Sequence, residues 1–140
     1  MIVVDTSVVL AAMDRRDEQH ERTAAWLAHE HRPLVTSPLA VAEMDHLVAR
    51  RGGPAATAAL WSDLDRGAWR VEWWPGALRS TVATAQAYAK LGLGLTDASL
   101  IALAQRLATV DVATFDQRHF RAATPLDGSD AFRLLPLDLE

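Results

Sequence analysis

The sequence predicts an α/β fold built on a mostly parallel β-sheet. Short apolar runs that are rich in β-branched residues, beginning with Ile2, Val3 and Val4, are typical of strands buried on both faces. Longer stretches with apolar residues at helical spacing alternate with these runs along the chain. This alternation indicates βαβ units, in which helices connect parallel strands.

Capping and chain-breaking residues predict where these elements begin and end. Asp5 ends the first strand, and Thr6 and Ser7 are suitable N-caps for the helix that follows. Ser37 and Pro38 open a later helix as N-cap and first residue, and the segment 52–54, Gly-Gly-Pro, breaks it. The predicted helices span 8–13, 17–31, 38–51, 54–66, 77–91 and 96–108, and the predicted strands span 2–4, 34–36, 69–73, 111–114 and 132–135.

Length and composition favour one soluble domain over residues 1–140. Half of the 140 residues are apolar and the mean hydropathy is +0.02, which is typical of a globular chain. We expect no membrane span, because no apolar run approaches the required length. Met1 leads directly into the first strand without a basic leader, and the chain contains no cysteine, so we expect a cytoplasmic protein without disulfides or thiolate metal sites.

The charge balance argues against indiscriminate binding to nucleic acid. The net charge is −4, from 14 basic and 18 acidic residues, whereas nonspecific nucleic-acid binders are usually basic. If four of the acids bound a cation, the remaining charges would balance. All but one of the basic residues are arginine, which suits bidentate contacts to phosphate.

Two aspartates follow predicted strands, at the sheet edge where α/β proteins bind ligands. Asp5 comes directly after the first strand, and Asp116 comes shortly after the strand at 111–114. Carboxyl ends of parallel strands share one edge of a sheet. The alternative for Asp5 is an ordinary turn or capping residue. We expect Asp111, at the start of its strand, to lie on the surface.

Two further acids interrupt apolar helices. Glu43 shares a helix face with Leu39 and Leu47, its neighbours at i−4 and i+4, so we expect its carboxylate to point into the protein or a cleft. The alternative is an exposed residue on the helix rim, because glutamate is seldom buried. Asp97 lies in the first turn of the helix at 96–108 and can complement its dipole, although its apolar next-turn neighbours turn this face inward.

Four carboxylates that converge on one point need a cation. Alone they would repel each other and raise each other's pKa values. An all-oxygen ligand set without cysteine or histidine favours Mg²⁺, for which Mn²⁺ can substitute.

In this pattern the chain resembles the PIN-domain nucleases, specifically the toxin ribonucleases of VapBC-type type II toxin–antitoxin modules. The motifs that carry the resemblance are Val-Asp-Thr-Ser at 4–7, Ala-Glu at 42–43, Thr-Asp-Ala at 96–98 and Thr-Phe-Asp-Gln-Arg-His-Phe at 114–120. Each is weak alone, but the four occur in order along nearly the whole chain. The resemblance implies a single PIN domain over 1–140, with a parallel sheet of about five strands and helices on both faces.

The resemblance also implies a site and an activity. Asp5, Glu43, Asp97 and Asp116 would form the catalytic metal site of a Mg²⁺-dependent endoribonuclease that cuts transfer or ribosomal RNA and inhibits translation. Hydrolysis would leave a 5′-phosphate and a 3′-hydroxyl.

Residues beside the acids are candidates for contact with the substrate. Thr114 is placed to hydrogen-bond a carboxylate or a metal-bound water, or to serve only as a strand residue. Arg118 is placed to clamp a phosphate or to form a surface ion pair. Ser7 is a third candidate, and we expect His119 to be structural, packing with Phe120.

The implied partners are RNA, a cognate antitoxin and a second copy of the chain. Apolar residues of the first two helices (Val8, Leu10, Met13, Trp26 and Leu27) predict a groove for an amphipathic antitoxin helix. Alternatively, these residues only complete the core. We expect homodimerisation through the helices between residues 54 and 91.

Three other functions compete with this interpretation. A phosphatase of the haloacid dehalogenase type also begins with a strand and an aspartate, but Ser7 stands where that class has a second aspartate. A non-catalytic interaction module would not need all four acids. A PIN nuclease of RNA processing often has extra domains, for which we expect no room in 140 residues.

Overall fold

A five-stranded parallel sheet flanked by helices forms the centre of the molecule. The computed structural model describes residues 1–139. The strands are β1 (Ile2–Val4), β2 (Leu34–Thr36), β3 (Arg70–Val71), β4 (Asp111–Ala113) and β5 (Arg133–Leu135). The helices are α1 (Thr6–Met13), α2 (His20–Leu27), α3 (Pro38–Asp65), α4 (Ala77–Ala87), α5 (Leu95–Arg106) and α6 (Gln117–Ala122), with a 3₁₀ turn at Ala89–Leu91. This architecture confirms the predicted fold class.

Strand order creates a crevice at the carboxyl ends of β1 and β4. The order across the sheet is β3-β2-β1-β4-β5, and every pairing is parallel. The connections reverse direction between β1 and β4, which is the topological switch point where open α/β sheets bind ligands. The register pairs Val4 with Ala113, so the residues that follow, Asp5 and Thr114, lie side by side at this crevice.

The central strands and α5 form most of the core. Ile2, Val3 and Val4 have no exposed surface, and α5 is buried along most of its length. Phe120 of α6 packs edge-to-face on Phe132, with ring centroids 6.2 Å apart. Strands buried on both faces explain why their sequence runs are continuously apolar rather than alternating.

The helix break predicted at the Gly-Gly-Pro segment is a kink inside α3. Gly53 has φ 73° and ψ −165°, outside the helical region, and helical geometry resumes at Pro54. A glycine tolerates this positive φ at little cost, whereas other residues do not. At Gly52 an added Cβ would lie 2.6 Å from the Cβ of Ala56, so the tight kink also requires that position to be small.

Helix starts differ from the predicted ones at three places. Asp5, not Thr6 or Ser7, caps α1 by accepting the Thr6 N–H. Gly94 rather than Thr96 precedes α5, which begins at Leu95. The helix predicted at 17–31 covers only His20–Leu27, because Asp17 accepts the Gln19 N–H and holds that segment in a turn.

Three other predictions about local structure were wrong, and one helix was missed. Strand β3 has two residues rather than five, and the helix predicted to reach residue 91 gives way to the 3₁₀ turn. Helix α6 was not predicted, although Asp116 caps it by accepting the His119 N–H. Asp111 is 7% exposed rather than a surface residue, because Arg32 and Arg133 both pair with its carboxylate.

None of the helices in the described part of the chain is both long and apolar enough to cross a lipid bilayer.

Candidate metal-binding active site

Asp5 is the buried member of the acidic site, and its carboxylate is held by three hydrogen bonds. Oδ1 accepts the Thr6 N–H at 2.8 Å. Oδ2 accepts the Ser7 hydroxyl at 2.9 Å and the Thr114 hydroxyl at 2.8 Å. The side chain is therefore fixed at the end of β1 with both oxygens engaged, although carboxylate oxygens retain further lone pairs for a cation.

Hydrogen bonds of the Thr114 and Ser7 hydroxyls link Asp5 to the residues at the end of β4. The Thr114 oxygen accepts the Asp116 N–H at 2.9 Å, and the Ser7 oxygen accepts the Phe115 N–H at 2.9 Å. Both side chains were predicted to contact substrate. The structure shows both as donors to Asp5, which confirms the predicted hydrogen bond from Thr114 to a carboxylate. Their contact with RNA stays a prediction.

Asp97 and Asp116 form a second group with His119. The His119 Nδ1 lies 2.6 Å from Asp97 Oδ2 and 3.2 Å from Asp116 Oδ2. Potential ligand atoms of these three residues all lie within 4.8 Å of one another. The prediction that His119 packs with Phe120 was therefore wrong: its ring faces the acids, while Phe120 packs on Phe132.

Glu43 lies on the rim of the same cleft. Glu43 is exposed, so the expectation that it points into the protein is wrong. The expectation that it faces a cleft is correct. The cleft has a volume of about 420 Å³, and Asp5, Glu43, Asp97 and Asp116 all line it. The sequence argument thus brought together four acids that the fold also brings together.

Burial and mutual repulsion raise the pKa values of the two most enclosed acids. Burial raises the pKa of Asp5 to about 6 against the opposing hydrogen bonds from Thr114 and Ser7, and the Asp97 charge adds to the rise. Burial likewise raises the pKa of Asp97, the bond from His119 opposes it, and the charges of Asp116 and Glu43 add to it. The carboxylates are costly to ionise together, which is the condition that a bound cation relieves.

The donor set fits a divalent cation. Carboxylate oxygens from Asp5, Asp97 and Asp116 are hard ligands that suit Mg²⁺ or Mn²⁺. The His119 nitrogen is a donor that the sequence argument did not include, and imidazole suits Mn²⁺ and later transition metals better than Mg²⁺.

Three charged or amide side chains line the cleft without having been predicted. Asp17 and Gln19 come from the turn before α2, and Arg51 comes from α3 just before its kink. The spacing of Glu43, Leu47 and Arg51 at i, i+4 and i+8 was visible in the sequence and places them along one stripe of α3. Nothing in the sequence of the 14–19 segment indicates that it folds over the cleft.

Arg118, predicted to clamp a phosphate, is exposed on α6 and does not line the cleft. Within the described residues it forms none of the ion pairs of the structure. Its proposed contact with phosphate stays a prediction.

The apolar groove predicted between the first two helices lies elsewhere. Val8 and Trp26 are 0% and 7% exposed, so they belong to the core. An apolar pocket instead lies between α1 and α3, floored by Leu10, Met13, Val48 and Ala56. Leu10, Asp17 and Arg51 line both this pocket and the acidic cleft, so the two cavities adjoin.

Comparison with known proteins gives consistent matches. The family model described as PIN domain matches residues 2–125. The chain is 33% identical to Ribonuclease VapC26 of Mycobacterium tuberculosis (strain ATCC 25618 / H37Rv) over 136 residues, which covers 96% of this chain and 100% of that protein.

Two solved structures share the fold. One is VapC20 of Mycobacterium tuberculosis, described as a sarcin-ricin loop cleaving toxin, with a TM-score of 0.77, 21% identity, and coverage of 84% of this chain and 91% of that one. The other is FitAcB from Neisseria gonorrhoeae, with a TM-score of 0.58, 25% identity, and coverage of 84% and 88%.

Proposed function

The chain belongs to the PIN-domain family, and from this premise we propose that it is a Mg²⁺-dependent endoribonuclease and the toxin of a type II toxin–antitoxin module. The observation that carries the proposal is the convergence of Asp5, Glu43, Asp97 and Asp116 on one cleft at the switch point of the sheet. The relative named Ribonuclease VapC26, which the chain matches over nearly its full length, supports the same chemistry.

Each acid has a distinct part in this proposal. Asp5, Asp97 and Asp116 would hold the cation, with Mn²⁺ able to replace Mg²⁺. When bound, the cation supplies positive charge near the scissile phosphate and lowers the pKa of water. Glu43, exposed on the rim, is placed to accept a hydrogen bond from the attacking water and orient it for in-line attack.

Supporting contacts keep this site in place before substrate arrives. Ser7 and Thr114 hold the Asp5 carboxylate in one orientation, and both also bind backbone at the end of β4. Preorganised ligands of this kind lower the cost of binding a cation and of aligning substrate. We propose hydrolysis of transfer or ribosomal RNA that leaves a 5′-phosphate and a 3′-hydroxyl, in the cytoplasm.

A toxin ribonuclease requires a partner that blocks it. We propose that an antitoxin places an apolar side chain in the pocket between α1 and α3 and a cation in the adjoining acidic cleft. The shared lining of the two cavities makes this possible for a single short segment. An arginine or lysine in the cleft would neutralise the carboxylates and occupy the place of the metal.

A homodimer is the remaining part of the proposal. Exposed apolar side chains lie on the second half of α3 and on α4, where Trp61, Leu78 and Val82 are 59%, 57% and 36% exposed. Burial of such side chains between two copies would be favourable.

Expression in cells tests the proposal. The chain alone should arrest growth, and RNA collected after a short pulse should show new 5′-phosphate ends at a small number of sites. Co-expression with the adjacent upstream gene should restore growth and give a stable complex on size exclusion. New RNA ends without growth arrest would indicate an RNA-processing nuclease instead, and neither effect would indicate a non-catalytic module.

A further inference from the structure

Arg51 stands out because it is a cation in a cleft lined by acids. The cleft is lined by five carboxylates, Asp5, Asp17, Glu43, Asp97 and Asp116, and within residues 1–139 Arg51 is its only lysine or arginine. A polyanionic strand that approaches these carboxylates is repelled by them, so a positive charge in the same cleft favours its binding.

The guanidinium of Arg51 forms no ion pair within the described residues. Other arginines bind carboxylates, as Arg32 and Arg133 do with Asp111. Arg51 forms no such pair in the described part of the chain, although Asp17 and Glu43 line the same cleft. Its five N–H donors are therefore available to a ligand.

The position of Arg51 on α3 sets which part of a ligand it can reach. Glu43, Leu47 and Arg51 line the cleft from successive turns of the helix. Arg51 is eight residues beyond Glu43, which corresponds to about 12 Å along the helix axis. The backbone position of Arg51 is therefore about two helical turns from Glu43, which suits contact with a phosphate other than the one being cut.

The kink of α3 lies directly after Arg51 and fixes the helix backbone there. Gly53, with its positive φ of 73°, ends regular helix geometry two residues after Arg51. Gly52 packs too closely against Ala56 for any larger side chain to fit unchanged. The helix backbone next to Arg51 therefore packs closely on the first turn of α3 after the kink.

We infer that Arg51 binds a backbone phosphate of single-stranded RNA flanking the scissile phosphate, and so sets how the strand lies across the acids. This inference rests on the proposed ribonuclease function. A guanidinium binds phosphate through two parallel hydrogen bonds. The contact reads no base, so it contributes affinity and register rather than sequence specificity.

Arg50 provides a matched control. It is the neighbouring arginine on α3 and is also exposed, but it lines neither the acidic cleft nor the apolar pocket. Arg50→Ala and Arg51→Ala remove the same charge from the same helix, so nonspecific electrostatics and helix propensity cancel in the comparison.

The experiment measures binding of a fluorescein-labelled mixed-sequence RNA 12-mer in Ca²⁺ by anisotropy, over a series of NaCl concentrations. Arg51→Ala should weaken binding about tenfold and reduce the slope of log K against log salt by about 0.7. Arg51→Lys should keep the salt slope and lose part of the affinity. Arg50→Ala should match the wild type.

Cleavage kinetics give a second readout. Because the contact exists in both the bound and the transition state, Arg51→Ala should raise KM by a larger factor than it lowers kcat. Equal behaviour of Arg51→Ala and Arg50→Ala in binding and in KM would overturn the inference while wild-type cleavage still upheld the proposed function. A wild-type protein that neither binds nor cleaves RNA would overturn the proposed function itself.

Discussion

The Nδ1 atom of His119 lies 2.6 Å from Asp97 Oδ2, which joins the first turn of α6 to the first turn of α5. Because Asp116 Oδ2 lies 3.2 Å from the same nitrogen, one imidazole contacts two of the four acids. This ring therefore separates and contacts both carboxylates.

The first prediction concerns this ring. His119→Ala removes a hydrogen bond to a carboxylate and leaves Asp97 and Asp116 to repel each other, so the metal-free protein should lose about 1–3 kcal/mol of unfolding free energy. Urea denaturation in EDTA measures the loss. His46→Ala, on the exposed face of α3, is the control and should change the unfolding free energy little. An equal loss of unfolding free energy in both variants would contradict a stabilising role for the His119 contact.

The second prediction concerns pH and the buried carboxyl of Asp5. Its pKa is about 6 in the folded protein, whereas an unfolded aspartate titrates near pH ~3.9. The folded state therefore holds a proton that the unfolded state has released, so stability is highest below this range and falls as pH rises through about 6. Asp97, whose pKa is also raised, acts in the same direction.

In EDTA the midpoint of urea unfolding should therefore be lower at pH 8 than at pH 5, with a contribution from Asp5 of roughly 1.4 kcal/mol, because only the part of the pKa shift above pH 5 acts in this range. Asp5→Asn carries no titrating carboxyl at that position and should show a flatter dependence. Identical pH profiles for the wild type and Asp5→Asn would show that burial of this carboxyl does not control stability.

The third prediction concerns the ion pairs at the opposite edge of the sheet. Arg133 donates two hydrogen bonds to Asp111, and Arg32 donates a third. Burial raises the pKa of Asp111, but the bonds from Arg133 and Arg32 outweigh it and leave the pKa lowered. The stabilisation is present at neutral pH and is lost as pH falls through this lowered pKa.

Asp111→Asn should therefore destabilise the protein by about 1–2 kcal/mol, because the two partly exposed guanidinium groups lose the negative charge between them and one of its two acceptor oxygens. Thermal unfolding at pH 7 measures this change. Asp130→Asn, at an exposed position, is the control. Equal unfolding temperatures for the two variants would contradict a stabilising role for the ion pairs of Asp111.

The sequence was sufficient for features that depend on local patterns. Strand β2 and the capping of α3 by Ser37 follow from neighbouring residues, and they agree with the structure. The four acids were found because Asp5 and Asp116 follow strands, Glu43 lies on an apolar helix face and Asp97 opens an apolar helix.

What the sequence missed depends on contacts between distant segments. Asp111 is buried by Arg32, which lies 79 residues earlier in the chain. His119 reaches Asp97 across 22 residues, and that contact depends on α6, a short helix whose pattern was too weak to predict. Asp17 and Gln19 reach the cleft only because a turn before α2 brings them there.

The fourth prediction is the most direct test of the central claim that this cleft is a metal-dependent ribonuclease site. Purified wild-type protein and Asp97→Asn are incubated with total RNA in Mg²⁺, in EDTA, and in EDTA followed by excess Mn²⁺, and the ends of the products are analysed. We predict cleavage with 5′-phosphate ends by the wild type in Mg²⁺, none in EDTA, recovery with Mn²⁺, and loss of at least a hundredfold in Asp97→Asn, in line with the loss of a group that acts on the transition state. Cleavage that survives in EDTA, or an Asp97→Asn variant as active as the wild type, would contradict the assignment of this site.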